Sequence, residues 1–309
     1  MITTVTLNPA IDRTILINGL EYGEVNRINR GREDIGGKGI NVSKVLHQFY
    51  EKTIALGFIG EENTEDTFRL LKKDNVEHDF VLVEAMTRTN VVIVELDKDI
   101  TTNINESGCT INEFQYKSFV EKMMNYANDS SYMVFSGSLP NGLTDDTYKN
   151  LIDMVRDKVR TVLDADGELL IQGIKSSPYM IKPNIHELEH AFNTTIDTDE
   201  KVIKIARKMI ADYGITLVLV SLGKDGAILV SKDEAHKAEP VEVDVKNTVG
   251  AGDSMVGGFI HGLSEGYDLS TCLKYGSACG TLAVMTEANQ TLDHSLLASI
   301  LKEINIISY

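Results

Sequence analysis

The chain has 309 residues, 42% of them apolar and 25% charged, which is enough for a large buried core in an ordinary folded protein. A net charge of −16 argues against nucleic acid or an anionic membrane surface as the main partner, so any anionic substrate needs a locally basic pocket. The three cysteines, Cys109, Cys272 and Cys279, form no CxxC pair, and neither a membrane span nor a targeting leader is visible, so a reduced, cytoplasmic protein is expected.

In chain order, "ITTVTLN" predicts a strand, and "GINVSKVLHQFY" a helix with apolar Ile40, Val42, Val45, Leu46 and Phe49. "TIALGFIG" reads as a buried strand and "NTEDTFRLLKKDN" as a helix, and "TRTNVVIVELDKDITTNINESG" reads as two strands around a "DKD" turn. Strand and helix then alternate. "YMVFSGS" precedes the helix "DDTYKNLIDMVRDK", "RTVLDAD" precedes "ELLIQGIKS", and "YMIKPN" precedes "IHELEHAF". The helix "EKVIKIARKMIADYG" leads into the strands "ITLVLVSLG" and "GAILVSK", and the chain ends in the helices "SMVGGFIHGLSEG", "LSTCLKYGSACGTLAVMT" and "LDHSLLASILKEI".

Such alternation predicts an α/β fold, a mostly parallel sheet covered on both faces, with ligands at the carboxyl ends of the strands. Polar clusters stand at those ends: "SGSLP", "DADG", "KPN" and "SLGKDG". Two extended segments break the alternation, about residues 11–31 and 87–108, and are expected to form a small β-sheet lid inserted in a single domain, 1–309.

The stretch "NTVGAGDSMVGG", residues 247–258, sets one acid, Asp253, beside Gly250, Ala251 and Gly252. One reading is a turn entering a helix with Asp253 as N-cap. The other is an anion hole at a helix N-terminus with Asp253 accepting a proton from a hydroxyl, as phosphoryl transfer requires. The dinucleotide pattern GxGxxG fails at Met255, and a P-loop fails because Gly37 intervenes before Lys38 and Gly39 replaces its Ser or Thr.

"IGGKGINVSK" is a second glycine-rich entry to a helix. It reads either as a tight turn with an exposed lysine, or as a pocket in which Gly36 and Gly37 admit a ligand, Asn41 bonds hydroxyls, and Lys38 meets an anion with Arg88 converging from the lid. "TLNPAID" offers Asn8 and Asp12, the latter a turn residue or a clamp on sugar hydroxyls. The serines of "SGSLPNG" either close a turn or donate to a phosphate. "KPNIHELEH" contains HExxH, the zinc-protease spacing, but no third ligand stands out downstream. The same residues read as a capping box, with Asn184 as N-cap and Glu187 three residues on, and also as a nucleotide-side group in which Glu187 holds magnesium through water.

"TLNPAID", "GGKGIN", "TRTN", "SGSLP", "IKPN…E", "SLGKDGA" and "TVGAGDS", in this order, resemble the ribokinase-like (PfkB) sugar kinases over nearly the whole chain. Within that family "GEVNR", "LGFIG" and "TVGAGDSMVGG" look closest to the branch acting on fructose 1-phosphate, with the tagatose 6-phosphate branch a near relative. The resemblance implies a three-layer α/β/α domain with a β-sheet lid, pairing into a homodimer through the lid. Asp253 matches the catalytic base, and Gly250, Ala251 and Gly252 the anion hole. Asp12, Gly36, Gly37, Lys38 and Asn41, joined by Arg88 and Ser138, match the sugar-phosphate pocket. Lys182, Ser221, Gly223, Gly226 and Thr248 match nucleotide contacts, and Asn184 and Glu187 the magnesium-supporting pair. The implied reaction uses ATP and Mg²⁺ to convert fructose 1-phosphate to fructose 1,6-bisphosphate, with tagatose 6-phosphate or fructose 6-phosphate as alternative acceptors. "TTNINESG" lacks the acid and proline that relatives often carry in that lid stretch, which bears on the identity of the sugar. A rival of a different class is a catalytically silent sensor of sugar phosphate or nucleotide on the same scaffold.

Overall fold

Five consecutive buried residues, Ile2–Thr6, form the first strand, β1. A strand buried along its whole length belongs in the interior of a parallel sheet, and β1 pairs in parallel on both sides. The computed structural model describes residues 1–98, 100–286 and 293–309. Asp99 of the predicted "DKD" turn and Leu292 at the start of the last predicted helix lie outside the described residues.

After β1 come β2 (Ala10–Ile17), β3 (Arg30–Gly36), α1 (Lys38–Gln48), β4 (Thr53–Gly60), α2 (Thr64–Lys73), β5 (Val81–Val83), β6 (Arg88–Glu95) and β7 (Ile100–Asn105). The middle of the chain holds α3 (Glu113–Ala127), β8 (Tyr132–Ser136), α4 (Thr147–Val155), β9 (Arg160–Asp164), α5 (Gly167–Gly173), β10 (Met180–Ile181), α6 (Ile185–Phe192) and α7 (Asp199–Tyr213). It continues through β11 (Leu217–Ser221), β12 (Ala227–Val230), β13 (Ala235–Ala238), α8 (Ala251–Ser264), α9 (Leu269–Met285), α10 (His294–Glu303) and β14 (Ile306–Ser308). The helix α3 and the strands β5, β13 and β14 add to the elements expected from sequence.

The large sheet runs β14-β13-β12-β11-β10-β9-β8-β1-β4-β5, parallel from β5 to β11 and antiparallel beyond. Alternation along each strand feeds two cores. Met133 and Phe135 of β8 pack with Phe119, Tyr148, Leu151 and Val202 from α3, α4 and α7. Tyr132 and Val134 face the other way, toward Val45, Phe259, Leu273 and Leu297 from α1, α8, α9 and α10. The result is the expected three-layer α/β/α fold. A second sheet, β3-β2-β6-β7, is mixed and forms the lid.

Two features position the site. The lid strand β2 starts four residues after β1 ends, and β3 ends at Gly36, just before α1, so lid and large sheet meet at residues 7–9 and 36–37. The helices α1 and α8 pack with matching four-residue steps: Asn41 meets Asp253, Val45 meets Gly257 and Phe49 stacks on His261. A Cβ on Gly257 would stand 2.8 Å from Val45 Cβ, so the bare glycine is what lets the two helices approach this closely. No helix among the described residues is long and apolar enough to cross a membrane.

Candidate active site

The turn before α8 requires a left-handed residue, and Gly250 supplies it with φ 79° as the N-cap. Asp253 is therefore not the N-cap. It lies inside the first turn of α8 and is buried, with Oδ2 accepting a 2.8 Å hydrogen bond from Asn41 Nδ2. The first-turn amides of a helix have no intrahelical partner, so the backbone at Gly252 presents an N–H group at the positive end of the helix dipole. Behind the turn, Ala251 N donates to Thr248 O at 3.5 Å.

Two lysines stand beside Asp253. Lys38 Nζ and Lys182 Nζ each lie 3.2 Å from Oδ1 of Asp164, at the carboxyl end of β9. Sequence reasoning did not single out Asp164. Its signal was the polar cluster "DADG" at a strand end: Asp164 is the last residue of β9 and buried, whereas Asp166, past the end of the strand at the N-cap of α5, is exposed. Burial pushes the Asp164 carboxyl up, but the two ammonium groups outweigh it and hold it below the usual carboxylate range. Burial likewise pushes the Lys38 ammonium down, and Asp164, Asp253 and Glu187 together hold it above its ordinary value. For Asp253, burial first and the Asp164 charge second push the carboxyl up to about 6, against the opposing effects of Asn41, Lys38 and Lys182. A Cβ on Gly252 would sit 3.2 Å from Lys182 Nζ, so the glycine turn leaves this ammonium room.

The lid side is built on Asp12. This residue is within β2, opposite Asp34, so the turn reading does not hold. Asp12 Oδ1 accepts from Asn90 Nδ2 at 2.9 Å, and burial raises its carboxyl. A Cβ on Gly36 would fall 1.9 Å from Asp12 Oδ2, so only glycine admits that carboxylate here. Gly37, with φ 131°, faces Thr6 and makes the turn into α1. Arg88 donates to the carbonyls of Pro9, Glu106 and Asn8 from Nε, Nη1 and Nη2 at 3.4, 2.9 and 2.9 Å. Three of its five N–H groups are thus used at the lid hinge, and two remain. Asn8 Nδ2 donates to Ser107 O, Leu139 O and Ser138 Oγ, which ties Ser138 to the same hinge.

On the third side, Asn184 caps α6 and forms the capping box with Glu187: Glu187 N donates to Asn184 Oδ1, and Asn184 N to Glu187 Oε2, both at 2.9 Å. Burial raises the Glu187 carboxyl, partly offset by the Asn184 amide and by Lys182 and Lys38. Asn184 pairs with Ser221 across the strand ends, and the loop beyond turns on Gly223 and Gly226, both at positive φ. The HExxH residues do not make a zinc site. His186 is 88% exposed and pairs with Glu189, Glu187 is held by the cap, and among the described residues no third ligand gathers with them.

The described geometry therefore gathers Asp253, Asn41, Lys38, Lys182, Asp164 and Glu187 through shared bonds and charges. Asp12, Gly36, Arg88 and Ser138 form the adjoining lid-hinge group. A buried acid at a glycine-opened helix start and two lysines, where the ends of parallel strands meet the lid hinge, define a kinase-type site. The model of the pfkB family carbohydrate kinases matches residues 5–294, and the chain belongs to that family. It is 34% identical over 288 residues to a 1-phosphofructokinase of Bacillus subtilis, covering 93% of each chain. It is also 31% identical over 312 aligned positions to a tagatose-6-phosphate kinase of Staphylococcus epidermidis, covering 99% of each. Among solved structures, phosphofructokinase-2 of Escherichia coli in complex with substrates and products superposes with a TM-score of 0.92 at 26% identity, covering 98% of each chain.

Proposed function

We propose that the chain is an ATP-dependent kinase of a phosphorylated ketohexose, transferring the γ-phosphoryl group to C6 of fructose 1-phosphate. The observation that carries this reading is Asp253, buried at the mouth of α8, bonded to Asn41 and flanked by two lysines. Asp253 takes the proton of the acceptor hydroxyl as the new O–P bond forms and the bond to the β-phosphate oxygen breaks, leaving ADP. The amides at Gly250, Ala251 and Gly252 carry the charge of the moving group, and Lys182, Thr248, Ser221, Gly223 and Gly226 line the nucleotide side. Asp12 and Asn41 orient sugar hydroxyls beside Gly36 and Gly37, and Lys38, Ser138 and the two free N–H groups of Arg88 meet the phosphate already on the sugar.

The residues present fit magnesium. Glu187 accepts two bonds from Asn184, leaving lone pairs for water, and Asp164 Oδ2 is buried without a partner. These are hard oxygen donors of the kind Mg²⁺ takes while keeping its waters. Glu187, through water, and Asp164 would hold the ion, which would supply neutralising positive charge to the transferring phosphoryl group. The kinase domain spans 1–309 with the lid inserted, works in the cytoplasm, and pairs as a homodimer through exposed apolar residues of the lid.

Fructose 1-phosphate is chosen over tagatose 6-phosphate and fructose 6-phosphate on the motifs "GEVNR", "LGFIG" and "TVGAGDSMVGG", with 1-phosphofructokinase relatives at 33% and 34% identity in support beside a tagatose-6-phosphate kinase at 31%. ADP release measured on the three sugar phosphates should show the highest kcat/KM on fructose 1-phosphate, and equal values on all three would overturn the assignment. The silent-sensor alternative predicts ligand binding with no turnover on any of them.

A further inference from the structure

The helices α1 and α8 both begin at the candidate active site, and their far ends meet at a second cluster that the kinase reading does not use. His261 lies eight residues beyond Asp253 on α8, roughly 12 Å along the helix. It is buried, its ring stacks on Phe49 with centroids 4.0 Å apart and planes 11° apart, and Tyr275 meets it edge-on at 5.6 Å. Glu51, just past the end of α1, places Oε1 3.0 Å from His261 Nδ1. Glu265 is four residues after His261, on the same face of α8 and exposed. One ligand atom from each of the three lies within 4.8 Å of the others.

We propose that Glu51, His261 and Glu265 form a site for a divalent transition-metal ion of the zinc or manganese class, which clamps the far ends of α1 and α8. A tetrahedral ion with bonds of about 2.1 Å sets two donors roughly 3.4 Å apart, so the hydrogen-bonded His261–Glu51 pair, 3.0 Å apart, has only to open slightly to admit one. Aromatic packing on both sides fixes the imidazole plane, so the donor is oriented before an ion arrives. Glu265 is free in solvent to swing in and close the set. One imidazole and two carboxylates neutralise a dication. The nitrogen ligand favours zinc or manganese over magnesium, which prefers an all-oxygen, octahedral shell. Among the described residues this is the one three-ligand cluster of His, Cys, Asp or Glu, and it lies well away from the HExxH residues. An ion here would hold Glu51 to α8 and so keep the register that seats Asn41 against Asp253. The inference stands apart from the identity of the substrate.

The test uses the full-length protein, stripped with chelator and titrated with zinc chloride by calorimetry, with magnesium chloride in parallel. One zinc equivalent is expected to bind at micromolar or tighter Kd and to raise the thermal midpoint, without a matching magnesium effect. Glu265→Gln and Glu51→Gln should each weaken that equivalent at least tenfold. Glu265→Gln changes only an exposed side chain, so its metal-free midpoint should equal that of the metal-free wild type. Failure of the wild type to bind zinc, or equally tight binding in both variants, would overturn the site.

Discussion

The raised carboxyl of Asp253 ties the proposed chemistry to a cost in stability. A base titrating near 6 is mostly ionised at neutral pH but still takes a proton readily, so kcat/KM should fall about tenfold per unit below pH 6 and level off above it. The same shift acts on folding. The folded-state value lies above the ordinary 3.8, so the native state binds the extra proton between about pH 4 and 6, and stability falls as pH rises through that window. At pH 7 the buried charge is a standing penalty on the order of 1–3 kcal/mol. Asp253→Asn should therefore raise the denaturation midpoint at pH 7 while lowering kcat by several orders of magnitude, with both ligands still bound. A variant that is both less stable and unable to bind would contradict this. Only part of the residue-scale picture was legible in the sequence. The type and place of Asp253 were visible because two glycines, Gly250 and Gly252, lead directly into a lone acid at the start of an apolar helix. Asp164 was hidden because "DAD" offers two acids, and only the point where β9 ends, at Asp164, tells which one is buried.

At the scale of elements, α1 and α8 act as a matched pair. Gly257 lets them touch, and its replacement by valine would drive atoms into Val45, which stands 2.8 Å from the built Cβ position. Such overpacking costs about 1–3 kcal/mol, and it should also separate Asn41 from Asp253. Gly257→Val is expected to lower the urea midpoint and to reduce kcat more than it changes KM for ATP, measured by denaturation and steady-state kinetics. Most elements could be read from apolar runs and strand-helix alternation. The exceptions have physical reasons. The helix α3 buries only Phe119, Met123 and Ala127 along a thin stripe, and its one clear signal is the capping box of Asn112 and Gln115. The strand β14 is a short edge piece and β13 a four-residue strand beside it, and the order of both comes from their neighbours rather than from their own pattern.

For the whole molecule, the proposed pairing through the lid rests on apolar side chains of the lid sheet. Ile15 of β2, Ile93 and Val91 of β6, and Ile104 of β7 fall on one face by register, and Ile104 is 55% exposed. Val25 and Ile28, in the loop between β2 and β3, are exposed as well. Apolar side chains gathered in this way mark an interaction surface. Sedimentation should give a dimer for the wild type and a shift to monomer for Ile104→Glu, and a wild-type monomer at micromolar concentration would exclude pairing through the lid.

Asn8 has one further effect. Its side-chain amide donates to Ser107 and Leu139, and its backbone carbonyl accepts from Arg88, so the side chain ties the end of the lid to a loop of the large layer while the backbone holds Arg88. If the lid closes over sugar, this side chain is placed to hold its inner end against the large layer as it does so. Cutting this tie with Asn8→Ala should leave the lid ajar, so that water competes with sugar and ATP is spent without product. Idle ADP release in the absence of sugar phosphate would be the readout, rising severalfold if the tie is what keeps solvent out.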